Sequence, residues 1–410
     1  MTPAAPPPSA GASDRQAPSG RLGEVGRSLT FGHVKVAVPK ESLAGERRVA
    51  VVPDVVPKLT GAGLEVAVEA GAGTAAGFPD TDYRAAGVGL VADQKKLLAA
   101  ADVVFKVQPP TPPEVQLLKK GTILLSFLQP AFNGDSIKAL AKQGVTAFSV
   151  DLVPRISRAQ SMDALSSQAS LAGYKAVLMA ASRLGKFFPM LMTAAGTIAP
   201  ARVLVLGAGV AGLQAIATAR RLGAIVEAYD VRPAVKEEVQ SLGAKFVELP
   251  LEAQEGQGGY ASAQSEEFLK KQRELLAERV GAADVVITTA AVPGRKAPVL
   301  VTADMVKRMR AGSVIVDLAA ETGGNCELTK PGEVIEVGGV WIDGTRNVPS
   351  TVAYHASQLY SRNLVNLLLH LVKDGKIELD FEDEITKGAC VTHGGEIVSE
   401  RAREAVGAKA

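Results

Sequence analysis

The sequence predicts an α/β protein made of two domains with parallel sheets. Three observations carry this. Apolar strand-like runs alternate with helix-like runs between residues 34 and 150, the same alternation recurs between 202 and 343, and a glycine turn joins strand to helix at the start of the second series. Strands separated by helices pair in parallel, because each crossover returns the chain to the same end of the sheet. A length of 410 residues accommodates two such domains.

In chain order, residues 1–32 are rich in Pro, Ala, Gly and Ser and read as a disordered extension. Order is expected from His33. Strands are expected at 34–38, 48–52, 64–68, 103–107, 122–127 and 145–150, with helices at 53–62, 93–100 and 134–142. The glycine-rich run 71–77 has the wrong spacing for a nucleotide loop, and Phe78-Pro79 stops the helix that would have to follow. A helix over 166–185, full of Ala and Ser, opens the second domain. Six strands follow near 203–206, 225–229, 245–249, 284–289, 313–317 and 340–343, the pattern of a doubly wound, Rossmann-like dinucleotide-binding domain. The polar connection 252–266 carries Gly256, Gly258, Gly259 and Tyr260. It reads either as a surface loop or as a mobile lid over a site. A helix over 350–374, with Leu359, Leu364, Leu367, Leu368 and Val372 as its apolar positions, returns to the first domain or forms a dimer contact. The last 35 residues have no core of their own. The expected division is 33–165, completed by 356–410, and 166–355.

Residues 203–232 are the most specific stretch. Val203 to Leu206 run into Gly207, Gly209 and Gly212, a helix follows, and a second strand ends at Asp230. Gly207 permits the tight turn, Gly209 lets the backbone approach a pyrophosphate, and Gly212 lets helix and strand pack closely. The helix N-terminus holds the negative charge. Asp230 stands at the distance suited to an adenine ribose, favouring NAD(H) over NADP(H), since a carboxylate repels a 2′-phosphate. Arg232 complicates this, because a nearby arginine accommodates that phosphate; its other reading is a place on the adenine face or in solvent. Ala208, Val210, Val231, Gly259 and Ala291 complete the expected cofactor-binding set.

Composition excludes several classes. Apolar residues make up 47% and charged residues 21%, with a net charge of +2 and no basic stripe, so nucleic acid is not an expected partner. Cys326 and Cys390 lack the spacing of a zinc site or a disulfide framework. The four histidines show no ligand pattern, and no metal is expected. The most apolar uncharged run, 187–201, is short and broken by Pro189 and Pro200, so no membrane span is expected; nor is a secretory signal.

The chain resembles the family that contains alanine dehydrogenase and the nicotinamide nucleotide transhydrogenase α subunit. Val38-Pro39-Lys40-Glu41, followed by Glu46-Arg47-Arg48-Val49-Ala50 and Pro53, is similar to the family's opening signature, and the glycine turn fits as quoted. Residues 155–166, Arg-Ile-Ser-Arg-Ala-Gln-Ser-Met-Asp-Ala-Leu-Ser, resemble the transhydrogenase loop that holds the nicotinamide end. The resemblance implies catalytic roles for Arg155, Gln160, Asp163 and Ser166, and a lid bearing Tyr260. Chemistry agrees: a carboxamide needs an acceptor for its NH2 and a donor for its oxygen. Composition alone reads the segment as an Asx-type turn with solvated polar residues.

Gln129 departs from the alanine dehydrogenase pattern, in which a histidine acts as acid and base. Glutamine exchanges no proton near neutral pH. Lys106, which resembles the substrate-carboxylate lysine, and Arg48 are retained; a structural reading pairs Lys106 with Glu41 or Glu46. The transhydrogenase branch implies an α subunit of a proton-translocating, Si/Re-specific enzyme. NAD(H) would bind here and NADP(H) on a partner, and hydride would pass directly between them. It further implies membrane-embedded partner subunits carrying the proton channel, a peripheral place on the cytoplasmic face, and a homodimer. The competing readings are an alanine dehydrogenase-like amino-acid dehydrogenase and a catalytically silent NAD-binding protein.

Overall fold

Two sheets organise the molecule, a computed structural model that describes residues 34–248, 266–291, 294 and 296–407. In chain order the strands are β1 Val34–Val38, β2 Leu64–Glu69, β3 Gly89–Val91, β4 Val103–Phe105, β5 Ile123–Ser126 and β6 Thr146–Ser149. A hairpin follows, β7 Leu191–Thr193 and β8 Gly196–Ile198. Then come β9 Arg202–Leu206, β10 Ile225–Tyr229, β11 Lys245–Phe246, β12 Val285–Thr288, β13 Val314–Asp317, β14 Val334–Val337 and β15 Val340–Asp343. The short β16 Val372–Lys373 and β17 Lys376–Ile377 precede β18 Cys390–His393 and β19 Glu396–Ile397.

The first sheet runs β19-β18-β6-β5-β4-β1-β2-β3, and the second β11-β10-β9-β12-β13-β15-β14. The six strands β1 to β6 pair in parallel, as do β9 to β13 and β15. Their apolar runs are continuous because helices cover both faces. β14 and β18 are antiparallel additions at the edges. In each sheet the chain goes one way from a central strand and then returns on its other side: β1 lies between β2 and β4, and β9 between β10 and β12. Such a reversal leaves a crevice at the carboxyl ends of the two central strands, where α/β proteins bind ligands.

Three sequence expectations change. Residues 48–52 are not a strand: their backbone is buried and extended, but the Val49 and Val52 N–H groups donate to the Ser357 and Ser361 hydroxyls, at 3.0 and 2.8 Å, rather than to a neighbouring strand. The second sheet has seven strands, because Val334–Val337 folds back on β15. The C-terminal residues do acquire a core: β18 joins β6, and Cys390 and Val391 are fully buried. The helix expected at 350–374 spans Ala353–His370, and Tyr360, Leu364, Leu367 and Leu368 pack into the core of the first sheet.

The helix Ala164–Arg183 packs against the helix Val210–Arg221. Its Ala, Ser and Gly content explains how close they come: a methyl on Gly173 would lie 2.0 Å from the Ala211 carbonyl oxygen. No helix among the described residues is long and apolar enough to cross a membrane.

Candidate functional site

The turn after β9 has the geometry its glycines suggest. Gly207 has φ +100°, the region that favours glycine, and a Cβ there would lie 2.7 Å from Thr289 Oγ1. A Cβ on Gly212 would lie 1.8 Å from the Gly207 carbonyl oxygen, so helix and turn are in contact at that point. Gly209 differs. It is extended, and a Cβ would meet nothing within 4 Å, so the space above its backbone is open. It is also the N-cap of the 12-residue helix Val210–Arg221, where no side chain caps the first N–H groups. Those donors and the helix dipole point at the open space. Ala208 is buried and Val210 exposed beside it.

Asp230 ends the next strand, and its two oxygens are engaged. Oδ2 accepts from the Ala208 N–H and from Arg232 Nη2, both at 2.8 Å; Oδ1 accepts from the Arg232 N–H and Nε, both at 2.9 Å. Burial would raise the carboxyl's pKa, but Arg232 and the Ala208 amide outweigh it and hold the group below its ordinary range. The sequence left Arg232 on a 2′-phosphate, on the adenine face or in solvent; in this structure it folds back onto Asp230. Val231 between them is half-buried.

A second buried network, not expected from the sequence, shapes the far wall. The Asp317 carboxylate at the end of β13 accepts from Thr288 Oγ1, the Ala319, Asn325 and Cys326 N–H groups, and Thr329 Oγ1, at 2.7 to 3.0 Å. Asn325 is thereby fixed and brackets Ala290, accepting from its N–H at 3.0 Å and donating to its carbonyl at 2.8 Å. Thr289 Oγ1 donates to the Gly207 carbonyl at 2.9 Å, tying this wall to the glycine turn. Ala291 follows, exposed. An acid at the end of a strand beside the glycine turn was the signal available. Across the cleft, a methyl on Gly294 would lie 3.4 Å from Ala131 Cβ, so the loop after β12 faces the turn after β5.

Residues 155–166 form a second cluster. Ser157–Met162 is a short 3-10 helix, and Asp163 caps the next helix, its carboxylate accepting from the Ser166 N–H at 2.9 Å and the Ser166 hydroxyl at 2.6 Å. Arg155 and Gln160 are exposed. Asp163 begins the helix that touches the glycine-turn helix at Gly173, about 15 Å further along by helical rise. The two clusters thus sit on one rigid rod. Gly259, Tyr260 and the segment read as a lid lie outside the described residues.

The crevice of the first sheet is filled by its own side chains. Lys106 is buried and pairs with Glu41 at 3.3 Å and Glu114 at 3.1 Å. Burial alone would lower the Lys106 pKa, but the two carboxylates hold it above its usual value. Glu46, the other partner the sequence offered, instead pairs with Arg48 at 2.6 Å, because Arg48 is two residues away and Glu114 reaches Lys106 from the start of the helix Pro112–Leu117. Arg48 also donates to Gln168 and Asn347, at 2.9 and 3.0 Å. Gln129 takes φ +45°, and its N–H donates to Asp151, which also accepts from the Leu128 N–H and Ser149 hydroxyl. Its side chain is exposed.

Comparison with known proteins agrees with this geometry. The family model "Alanine dehydrogenase/PNT, N-terminal domain" matches residues 37–172, and "Alanine dehydrogenase/PNT, C-terminal domain" matches 176–400. The first of the separate chains that make up NAD(P) transhydrogenase subunit alpha in Rhodospirillum rubrum is 52% identical over 375 residues, covering 89% of this chain and 98% of that protein. The solved transhydrogenase from Sinorhizobium meliloti is 45% identical with a TM-score of 0.79, over 89% of this chain and 99% of that one. A solved L-alanine dehydrogenase is 29% identical with a TM-score of 0.76, over 91% and 99%. With both models matched from residue 37 to residue 400, the chain belongs to the alanine dehydrogenase/PNT family.

Proposed function

We propose that this chain is the NAD(H)-binding α subunit of a proton-translocating NAD(P) transhydrogenase. The observation that carries the reading within the family is Gln129: the turn after β5 presents an amide that holds no exchangeable proton near neutral pH, so amino-acid oxidation lacks its acid and base. Hydride transfer between two nicotinamides needs neither. The dinucleotide supplies the hydride; the protein supplies position and exclusion of water.

The residues present fit the cofactor. Gly209 leaves room for a pyrophosphate, the Val210–Arg221 helix offers its first N–H groups, and Asp230 offers ribose acceptors. We assign Gly207, Ala208, Gly209, Val210, Gly212, Asp230, Val231, Arg232 and Ala291 to the dinucleotide, and Arg155, Gln160, Asp163 and Ser166 to the nicotinamide end. Gly259 and Tyr260 belong to the same proposal as lid residues. The units divide as 33–165 with 356–410, and 166–355. NADP(H) lies on a partner, within membrane-embedded subunits that carry the proton channel, with this chain docked peripherally on their cytoplasmic face; the transfer is Si/Re-specific.

Titration tests the nucleotide assignment. The protein should bind NADH well and NADPH poorly. Asp230→Ala should weaken NADH by about 1–3 kcal/mol, through loss of charge-assisted hydrogen bonds. It should also narrow the preference, because Arg232 is then released to meet a 2′-phosphate. Unchanged affinity, or a wild-type preference for NADPH, would place the adenine ribose elsewhere.

The chain is proposed to form a homodimer through the β7–β8 hairpin. Phe187, Met190 and Ile198 are exposed there, and Met192 is 71% exposed, an unusual concentration of apolar surface on an arm that stands away from both cores. Met192→Asp with Ile198→Asp should convert a dimer to a monomer in sedimentation. A dimer that persists with unchanged affinity would put the interface elsewhere.

A further inference from the structure

The 155–163 loop is exposed and short, yet it would have to hold a reacting ring within tenths of an ångström. Its backbone is held from outside. Asn363 and Asn366, one turn apart on the helix Ala353–His370, both donate their side-chain NH2 to the Ser161 carbonyl, at 2.9 and 3.1 Å. A carbonyl has two lone pairs, and here two amides take them. Asn363 is buried, and its own oxygen accepts from the Ser167 hydroxyl at 2.7 Å, so the same side chain also grips the first turn of the helix Ala164–Arg183. The grip therefore falls on both sides of the bend at Asp163. Lower in the loop, both Arg158 Nη atoms donate to Asp383 Oδ2 at 3.0 Å. Asp383 is itself fixed: Oδ1 accepts from the Ile385 and Thr386 N–H groups and lies 2.8 Å from His370 Nε2.

The supporting helix is rigid. Tyr360, Leu364, Leu367 and Leu368 are fully buried in the first core, and Tyr360 donates to the Lys106 carbonyl at 2.8 Å. Asparagine is a poor helix former, so two within one turn of this apolar helix call for a reason, and the Ser161 carbonyl provides one.

We propose that Asn363 and Asn366, assisted by Asp383, are positioning residues for hydride transfer. They touch no reacting group; they hold the segment from which Gln160 and Asp163 project. The inference rests on the reading of that loop as the nicotinamide end.

The test uses Asn363→Asp, Asn366→Asp and the double variant. Asn363→Asp keeps the shape and the acceptor for Ser167 but removes the donor to Ser161. Arg158→Gln, at an exposed side chain, serves as a variant that leaves the core untouched. Amide hydrogen exchange over 156–163, NADH affinity and single-turnover transfer in the complex with the NADP(H)-binding partner are measured together. Each single variant should speed exchange in the loop, and the double variant should lower transfer roughly 100-fold, as expected for a small misplacement of the reacting ring. NADH affinity should change by less than about threefold, because the dinucleotide is held mainly at the glycine turn and the adenine ribose. Unchanged loop exchange in the double variant would overturn the inference. So would faster exchange with unaltered transfer; if Gln160→Asn still slows transfer in that assay, the loop reading survives and only the positioning role fails. If Gln160→Asn is also silent, the loop reading itself is wrong.

Discussion

Gly209→Ala should fold like the parent and lose NADH binding, whereas Gly212→Ala should lose stability first. At Gly209 the backbone is extended with φ −78°, which alanine adopts freely, and an added methyl meets no atom within 4 Å. The cost to the fold is limited to a weaker N-cap, within about 1 kcal/mol. The methyl does occupy the space in which a pyrophosphate would approach the helix N-terminus. Keeping it at a distance should lower affinity on the order of 100-fold, equivalent to about 2.7 kcal/mol. At Gly212 the methyl would lie 1.8 Å from the Gly207 carbonyl oxygen and 2.8 Å from its carbon. Both are backbone atoms in a turn already held by Thr289, so neither moves cheaply. Overpacking of this kind costs about 1–3 kcal/mol or more, and the melting temperature should fall by roughly 5–10 °C. Thermal melting and calorimetric titration of the two variants separate these outcomes. A Gly209→Ala protein that binds NADH normally would mean that the phosphates do not pass over this turn.

Much of the architecture was legible because buried parallel strands and glycine turns write themselves locally. Residues 203–206 and 225–229 are apolar on both faces, and Gly207 needs a positive φ whatever lies around it. What was not legible depends on distant partners. The run 48–52 has the composition of a strand, but its amide partners are serine hydroxyls about 300 residues away. Strand Cys390–His393 is defined by its antiparallel place beside β6, which its own sequence does not encode. The helix Pro112–Leu117 is led by prolines and too short for a periodic signal, so Glu114 could not be foreseen as the partner of Lys106. At the site, Asp230 was readable from its distance to the glycine turn. Its clasp by Arg232 was not, since the sequence allowed that side chain three destinations. Asp317 and Asn325 were missed because their role is to order loops rather than to meet a ligand.

The central claim is that the hydride acceptor lies on another polypeptide. The chain carries one complete glycine fingerprint, and the turn after β5 carries Gln129 rather than an acid or base. The first crevice offers no substitute, since the Lys106 ammonium is already held between Glu41 and Glu114. The most direct measurement is transfer from NADH to an NADP+ analogue by the purified chain, alone and with increasing amounts of an NADP(H)-binding partner domain. Alone, it should bind NADH and show no turnover; with the partner, activity should appear and rise until the docking surface saturates. Turnover of NADH with the NADP+ analogue by the lone chain, or NADH formation from NAD+ and alanine, would place the acceptor within this polypeptide and contradict the account.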